Sequence, residues 1–324
     1  MVQQETQTGK REPDKTGATR REFFKSTSAL VAGTVAAGSL LPNSSSGSWQ
    51  DEEQEKKVES NKGKIFKSVK WGMIGEGGSV LEKFQLQKEL GYDGMELVSP
   101  TDLKVDELLA ASRETGMPIH GLVNQRHWSD GFRLSEPNPE AREKGRKVLE
   151  QCLRDAKAFG GDTVLLVPGR VNGKDETHDH VWKRSIVEIR KVLPLASRLG
   201  IRILIENVWN GFCEKPEQLR DYIDEINSPW VGVYFDIGNV RKFGPSEDWV
   251  RTLGNRIVKL DVKDWSKANS FKSKIGDGDV NWPEVCKALE EIQFRGWCTA
   301  EVTGGKKDRL QDIASRMDRV LKLK

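Results

Sequence analysis

The feature that most limits the fold is an alternation. From residue 67 onward, short apolar runs exchange places with longer amphipathic stretches, and the exchange repeats eight times. The runs fall at 69–74, 94–98, 118–123, 163–167, 201–206, 231–236, 257–262 and 297–302. Most are rich in β-branched or aromatic residues, as strands of a parallel sheet covered on both faces must be. In the stretch 141–159, Val148, Leu149, Cys152, Leu153 and Ala156 recur at three- and four-residue steps, the spacing of one buried helical face. Gly200 closes the helical stretch 181–199, and Ile201 starts the next strand at once. Leu90-Gly91-Tyr92 and Thr115-Gly116-Met117 repeat that punctuation. Strands alternating with helices make parallel βαβ units, and eight of them predict an α/β fold of the (β/α)8 TIM-barrel type. No G-x-G-x-x-G follows the first run, which argues against a dinucleotide site.

A barrel needs about 250 residues, so the 324-residue chain has room for an N-terminal extension. Thr19-Arg20-Arg21-Glu22-Phe23-Phe24-Lys25 resembles the twin-arginine export signal, and a Gly/Ala-rich apolar stretch follows to Leu41. Val35-Ala36-Ala37 supplies a small-residue cleavage site. The stretch falls well short of the roughly 20 apolar residues of a membrane span. Residues 1–41 therefore read as a signal peptide, 42–66 as a polar disordered linker and 67–324 as the barrel. The expected location is periplasmic, with no membrane anchor once the signal is removed. The balance of 52 basic against 49 acidic residues gives no reason to expect nucleic acid or an anionic membrane as partner. Cys152, Cys213, Cys286 and Cys298 form no C-x-x-C pair, so they read as small core residues.

In such a barrel the active-site groups come from the C-terminal strand ends and the loops beyond them. The third run leads to His120 and a loop with His127-Trp128; the fifth ends at Glu206-Asn207; the sixth ends at Asp236, with Asn239 beyond. The seventh carries Asp261, Lys263 and Asp264, and the eighth carries Glu301. A lone acid at a strand end is usually solvated. Four on neighbouring strands would repel one another, and a bound cation is the simplest remedy. An all-oxygen set favours Mg²⁺ or Mn²⁺ over Zn²⁺.

At these residues the chain resembles the xylose isomerase-like sugar isomerase/epimerase superfamily, which includes hydroxypyruvate isomerases and ketose 3-epimerases. The resemblance runs from about Lys67 to the C-terminus. It rests on Ile205-Glu206-Asn207-Val208-Trp209-Asn210, Tyr234-Phe235-Asp236-Ile237-Gly238-Asn239, Val262-Lys263-Asp264, Gly276-Asp277-Gly278-Asp279-Val280-Asn281-Trp282 and Thr299-Ala300-Glu301-Val302. It implies one divalent cation held by Glu206, Asp236, Asp261 and Glu301. It also implies proton transfer through an enediolate by Glu206 and Glu301, on opposite sides of a small sugar. Two departures are visible: the family's seventh-strand His is Asp261 here, and a His often found three residues beyond the sixth-strand Asp is Asn239.

His127, Trp128, Asn239 and Lys263 are the candidate substrate contacts. The bland alternatives are loop packing for the first two and pairing with Asp261 or Asp264 for Lys263. Arg170 reads as a solvated loop charge. Asp277 and Asp279, after the seventh run, oppose an anion where barrels often hold phosphate, so an unphosphorylated sugar or hydroxy-carbonyl compound is expected. Two other readings stay open: a metal-dependent lyase or hydrolase of a keto-glycoside, and a non-catalytic exported sugar-binding barrel. The endonuclease IV-like phosphodiesterases of the same superfamily need many histidines, and this chain has four. A homo-oligomer is compatible with all of this, and neither substrate nor oligomeric state follows from the sequence.

Overall fold

The computed structural model describes residues 60–324. The alternation becomes eight strands, β1 Ile65–Lys70, β2 Gly94–Ser99, β3 Ile119–Asn124, β4 Thr163–Leu166, β5 Arg202–Glu206, β6 Val231–Asp236, β7 Ile257–Val262 and β8 Gly296–Ala300. After them in turn come α1 Val80–Glu89, α2 Val105–Thr115, α3 Pro139–Phe159, α4 His178–Leu199, α5 Pro216–Ile226, α6 Ser246–Leu253, α7 Trp282–Glu291 and α8 Lys307–Leu321. All neighbouring strands pair in parallel, and β1 pairs with β8, so the sheet closes into the expected barrel. Among the described residues no helix is long and apolar enough to cross a membrane. The expected signal peptide lies outside the described residues.

The main core lies between the strands and the ring of helices. In α4, Ile186, Ile189 and Val192 are buried at helical spacing, each contributing about 1.5–3 kcal/mol by leaving water. Thr177 and His180 form a capping box at the start of α4, and Gly200 ends the helix in the left-handed region at φ 71°. Inside the barrel the packing differs. Leu165, Leu204 and Tyr234 make a small separate apolar cluster at mid-height. Polar layers lie on either side of it.

One strand departs from the expectation. The first run, expected at 69–74, is instead β1 at Ile65–Lys70, and Trp71–Met73 forms a 3₁₀ turn. The reason is that β1 spends polar residues on buried positions. Ser68 Oγ lies 2.6 Å from His120 Nε2 inside the barrel, and Lys67 reaches Asp318 on α8 at 2.6 Å. Asn61 also belongs to the barrel, since its backbone N–H donates to Lys322 O at 2.8 Å. The ordered fold thus begins a few residues before 67.

Candidate active site

Parallel strands in a closed barrel aim their C-terminal ends at one mouth. Glu206 and Asp236 are the last residues of β5 and β6, Asp261 is the penultimate residue of β7, and Glu301 follows β8 directly. Asp236 and Asp261 are partners in the β6–β7 register. An oxygen from each of the four carboxylates lies within 4.8 Å of one from every other. Glu206, Asp236 and Asp261 are buried, while the Glu301 side chain keeps 30% of its surface exposed and faces the opening. A cavity of about 420 Å³ at the other end, between Asn61, Ile65, Leu289 and Phe294, gathers no such cluster. Chemistry rather than hollow space marks the site.

Two lysines and a fifth acid complete the mouth. Lys70, at the end of β1, donates to Asp261 Oδ2 at 2.9 Å and Glu301 Oε1 at 2.5 Å. Glu96 of β2 is fully buried, with Oε2 4.0 Å from the same ammonium. Lys263 donates to Glu301 Oε2 at 2.6 Å. It also lies 2.9 Å from Asp236 Oδ2, off the line of a hydrogen bond. Five carboxylates thus face two ammonium groups. Asp261 Oδ1 and Glu96 Oε2 are buried and accept no hydrogen bond, a costly condition for a carboxylate oxygen. The excess of negative charge, the orphaned oxygens and the hard, all-oxygen donor set fit a divalent cation of the Mg²⁺ or Mn²⁺ kind.

The electrostatics separate the acids. Burial lifts Glu206 well above the usual carboxylate range, and the charge of Glu301 adds to the effect. Burial likewise lifts Asp261 well up against the pull of Lys70, and raises Asp236 to about 7 against the pull of Lys263. For Glu301, burial pushes upward too, but Lys70 and Lys263 outweigh it and hold the group far below the carboxylate range. Glu301 is therefore a firm carboxylate, whereas Glu206, Asp236 and Asp261 hold protons readily until a cation arrives.

Residues 84–322 match the family described as Xylose isomerase-like TIM barrel. The chain belongs to that family. Relatives from Escherichia coli include the L-ribulose-5-phosphate 3-epimerase UlaE (strain K12 / DH10B), 25% identical over 231 residues that cover 67% of this chain and 79% of the relative. The putative L-ribulose-5-phosphate 3-epimerase SgbU (strain K12) is 24% identical over 66% of this chain and 80% of its own length. Solved structures of the same fold include an L-ribulose 3-epimerase, with TM-score 0.69, 13% identity, and 80% of this chain and 95% of that one covered. Another is the apo 3-keto-D-glucoside 4-epimerase YcjR from E. coli, with TM-score 0.66, 18% identity, and 79% and 98% covered. The named relatives and neighbours are sugar epimerases.

Around the four carboxylates the chain builds supports. The Asn207 side chain is paired twice with the Asp236 backbone, donating to O at 2.8 Å and accepting from N at 2.9 Å. Asn239 donates its backbone N–H to Asp236 Oδ1 at 2.7 Å and its amide to Asn207 O at 2.9 Å. These bonds cross-brace β5 to β6 and fix the Asp236 rotamer. A Cβ at Gly238 would meet Lys263 Cγ at 2.7 Å, so only glycine lets the β6 loop lie against that lysine. Asp264 accepts from the backbone N–H groups of Trp265, Gly276 and Val280 and from Trp282 Nε1, holding the β7–α7 loop in shape.

The four expected substrate contacts are distributed unequally. Lys263 stands in the cluster, bonded to neither Asp261 nor Asp264. Trp128 is exposed on the β3 loop. His127 is buried, and its Nδ1 accepts from Val167 N at 3.1 Å, which leaves the proton on Nε2. Burial lowers its pKa to about 3, so the ring is neutral. Asn239 is buried in the brace. His120 does not reach the mouth: it is the second residue of β3, deep in the barrel against Ser68 and Lys259. The β2–β3 pairing shifts register at Met95/Glu96, where a bulge turns His120 inward. Arg170 is a half-buried loop charge paired with Asp130 at 2.9 Å. Asp277 is bridged to Arg316 at 2.8 Å, so it no longer stands as a free negative charge against an anion. Sequence reasoning missed Lys70 and Glu96. Glu96 was visible as a charge inside the apolar run Met95-Glu96-Leu97-Val98, whereas Lys70 was hidden by the misplacement of β1.

Proposed function

We propose that this protein is a divalent-metal-dependent isomerase or epimerase of a small sugar or hydroxy-carbonyl compound, exported to the periplasm by the twin-arginine route. The observation that carries the reading is the convergence of Glu206, Asp236, Asp261 and Glu301 with oxygens within 4.8 Å of one another. Mg²⁺ or Mn²⁺ would be held by these four groups. The chemistry such an ion supplies is positive charge beside the substrate oxygens as an enediolate develops. The protein's own groups do the rest. Glu206 and Glu301 come from strands on different sides of the mouth, so one takes a proton beside the carbonyl and one returns it. Return to the same carbon from the other face gives an epimer, and return to the neighbouring carbon gives an isomer. Lys70 and Lys263 hold Glu301 ionised and in place, and the neutral His127 offers an N–H to a substrate oxygen.

The test is deuterium exchange. The Mg²⁺- or Mn²⁺-loaded protein, incubated with a panel of ketoses in D₂O, should place deuterium on the carbon next to the carbonyl. Glu206→Gln should lower that rate by at least about a hundredfold, in the range of a lost general acid–base group. Tight metal binding without exchange on any ketose would leave the non-catalytic sugar-binding barrel. Exchange accompanied by loss of a glycosidic aglycone would give the keto-glycoside lyase or hydrolase instead.

A further inference from the structure

Beside the carboxylates, the rim carries an aromatic shelf. Trp209, in the β5–α5 connection, and Phe271, in the β7–α7 connection, stay 39% and 40% exposed with ring centroids 4.7 Å apart. Trp265 stands edge-on to Trp209 at 6.2 Å, and Phe243 does so at 6.5 Å. Large apolar rings left in water are costly unless something covers them. These rings are also held in position. Trp209 Nε1 donates to Asn239 O at 2.6 Å, and Asn239 is braced to the carboxylate of Asp236. Around Phe271, the Ser266 and Ser270 backbones bond each other at 3.3 and 2.7 Å.

The shelf is continuous with the reacting centre. Lys263 Nζ, which joins Asp236 and Glu301, lies 5.0 Å from the centroid of Phe271. Phe271 therefore borders the lysine that joins the carboxylates, and Trp209 adjoins Phe271 with ring centroids 4.7 Å apart. A polar group accompanies the rings: Lys242 Nζ sits 4.5 Å over Trp209. A pyranose offers an apolar C–H face to stack on a ring and hydroxyl oxygens to accept from an ammonium.

We propose that the shelf of Trp209, Phe271 and Trp265 is a subsite for the second pyranosyl ring of a glycoside, so that the substrate is a two-ring sugar with its reacting ring at the carboxylates. This rests on the sugar-directed reading of the mouth. The test is direct binding of probes to the Mg²⁺-loaded full chain by ligand-observed NMR, with no turnover required. Maltose, cellobiose, lactose and sucrose are compared with glucose, galactose and glucose 6-phosphate. At least one disaccharide should bind about tenfold or more tighter than either monosaccharide. That preference should collapse in Trp209→Ala and Phe271→Ala and return in Phe271→Tyr, which keeps the ring. Equal binding of one- and two-ring sugars, or a preference untouched by both alanine variants, overturns the subsite. So does glucose 6-phosphate outcompeting every disaccharide, which would give Lys242 to a phosphate. Failure here leaves deuterium exchange on a free ketose intact. Disaccharide preference without exchange would keep the subsite and remove the isomerase.

Discussion

The barrel interior contains two polar layers, and they are finished to different degrees. In the lower one, Lys259 is buried, yet its ammonium donates to His120 O at 2.5 Å, Asp162 Oδ1 at 2.9 Å and Thr163 Oγ1 at 2.7 Å, and meets His120 Nδ1 at 2.9 Å. His120 Nε2 meets Ser68 Oγ, and the ring stacks on Trp297 at 4.4 Å. In the upper layer, five carboxylates share two lysines, and buried oxygens of Asp261 and Glu96 accept nothing. The Tyr234 hydroxyl joins the layers, 2.7 Å from Thr299 Oγ1 and 2.9 Å from Glu96 Oε1. A buried charge with its partners complete is architecture. A buried charge short of partners is waiting for a ligand.

The sharpest way to break that contrast is to truncate one charge in each layer. Lys259→Met strips a donor from His120 O and Thr163 Oγ1, two buried acceptors, and should cost about 3–5 kcal/mol, at about 1–3 kcal/mol for each acceptor left unpaired and with the packing loss added. Thermal unfolding should fall by about 10 °C or more, with metal affinity in the surviving folded protein close to that of the parent. Asp261→Ala should do the reverse. It removes a buried carboxyl oxygen that has no partner in the apo mouth, so the unfolding temperature should hold or rise, while Mg²⁺ or Mn²⁺ affinity by calorimetry falls at least about a hundredfold. If Asp261→Ala instead destabilises the apo protein and leaves metal binding intact, the mouth is architecture as well.

pH sharpens the same contrast with a smaller effect. Asp236, raised by burial to about 7, favours the folded state fully below its unfolded value of about 3.9 and loses that contribution as pH rises through about 7. His120 and His127 pull the other way, because burial depresses both and the unfolded imidazoles take up protons below about 6.5. The comparison that isolates the mouth is therefore the metal-free parent against Asp236→Asn. The parent should lose stability relative to the variant between about pH 4 and 7, and the gap should then stay constant. Metal affinity of the parent should rise over the same interval as the ion displaces protons. A gap that does not change with pH in denaturant titrations would mean that Asp236 is ionised even without a metal.

The lower layer explains what the sequence could and could not disclose. The β/α alternation and the four carboxylates at the ends of β5 to β8 were legible, because each acid stands at or next to the end of a largely apolar run and strand order alone sends it to the mouth. Lys70 was not, since its meaning depends on which strands close the ring, whereas Glu96 stood out as a charge within an apolar run and went unused. Only β1–β8 pairing brings Lys70 beside Asp261 and Glu301. His120 misled for a related reason. It stands at the start of β3, away from the mouth, and a bulge that is invisible in one strand's pattern turns it into the barrel as a member of the lower layer. The aromatic shelf likewise joins residues from separate loops, and nothing in their spacing announces that they meet.

The smallest expected effect comes from the outermost member of each layer. Asp162 is 62% exposed and is only one of several acceptors around Lys259. Asp162→Asn keeps an oxygen near the ammonium and removes a charge that water already screens. It should cost about 1–2 kcal/mol, because the ammonium keeps its hydrogen-bond acceptors while losing a charged partner, with metal affinity unchanged. Glu301 is the matching group above, partly exposed and bonded to both mouth lysines. Glu301→Gln should be equally mild in thermal unfolding, because Lys70 keeps Asp261 and Lys263 keeps Asp236. It should nevertheless weaken metal binding at least about tenfold, since an anionic donor becomes a neutral amide. Two substitutions of the same kind would then agree in stability and part in metal affinity. Equal metal affinity in both would reduce the upper layer to a second ion-pair network, with nothing to set it apart from the lower one.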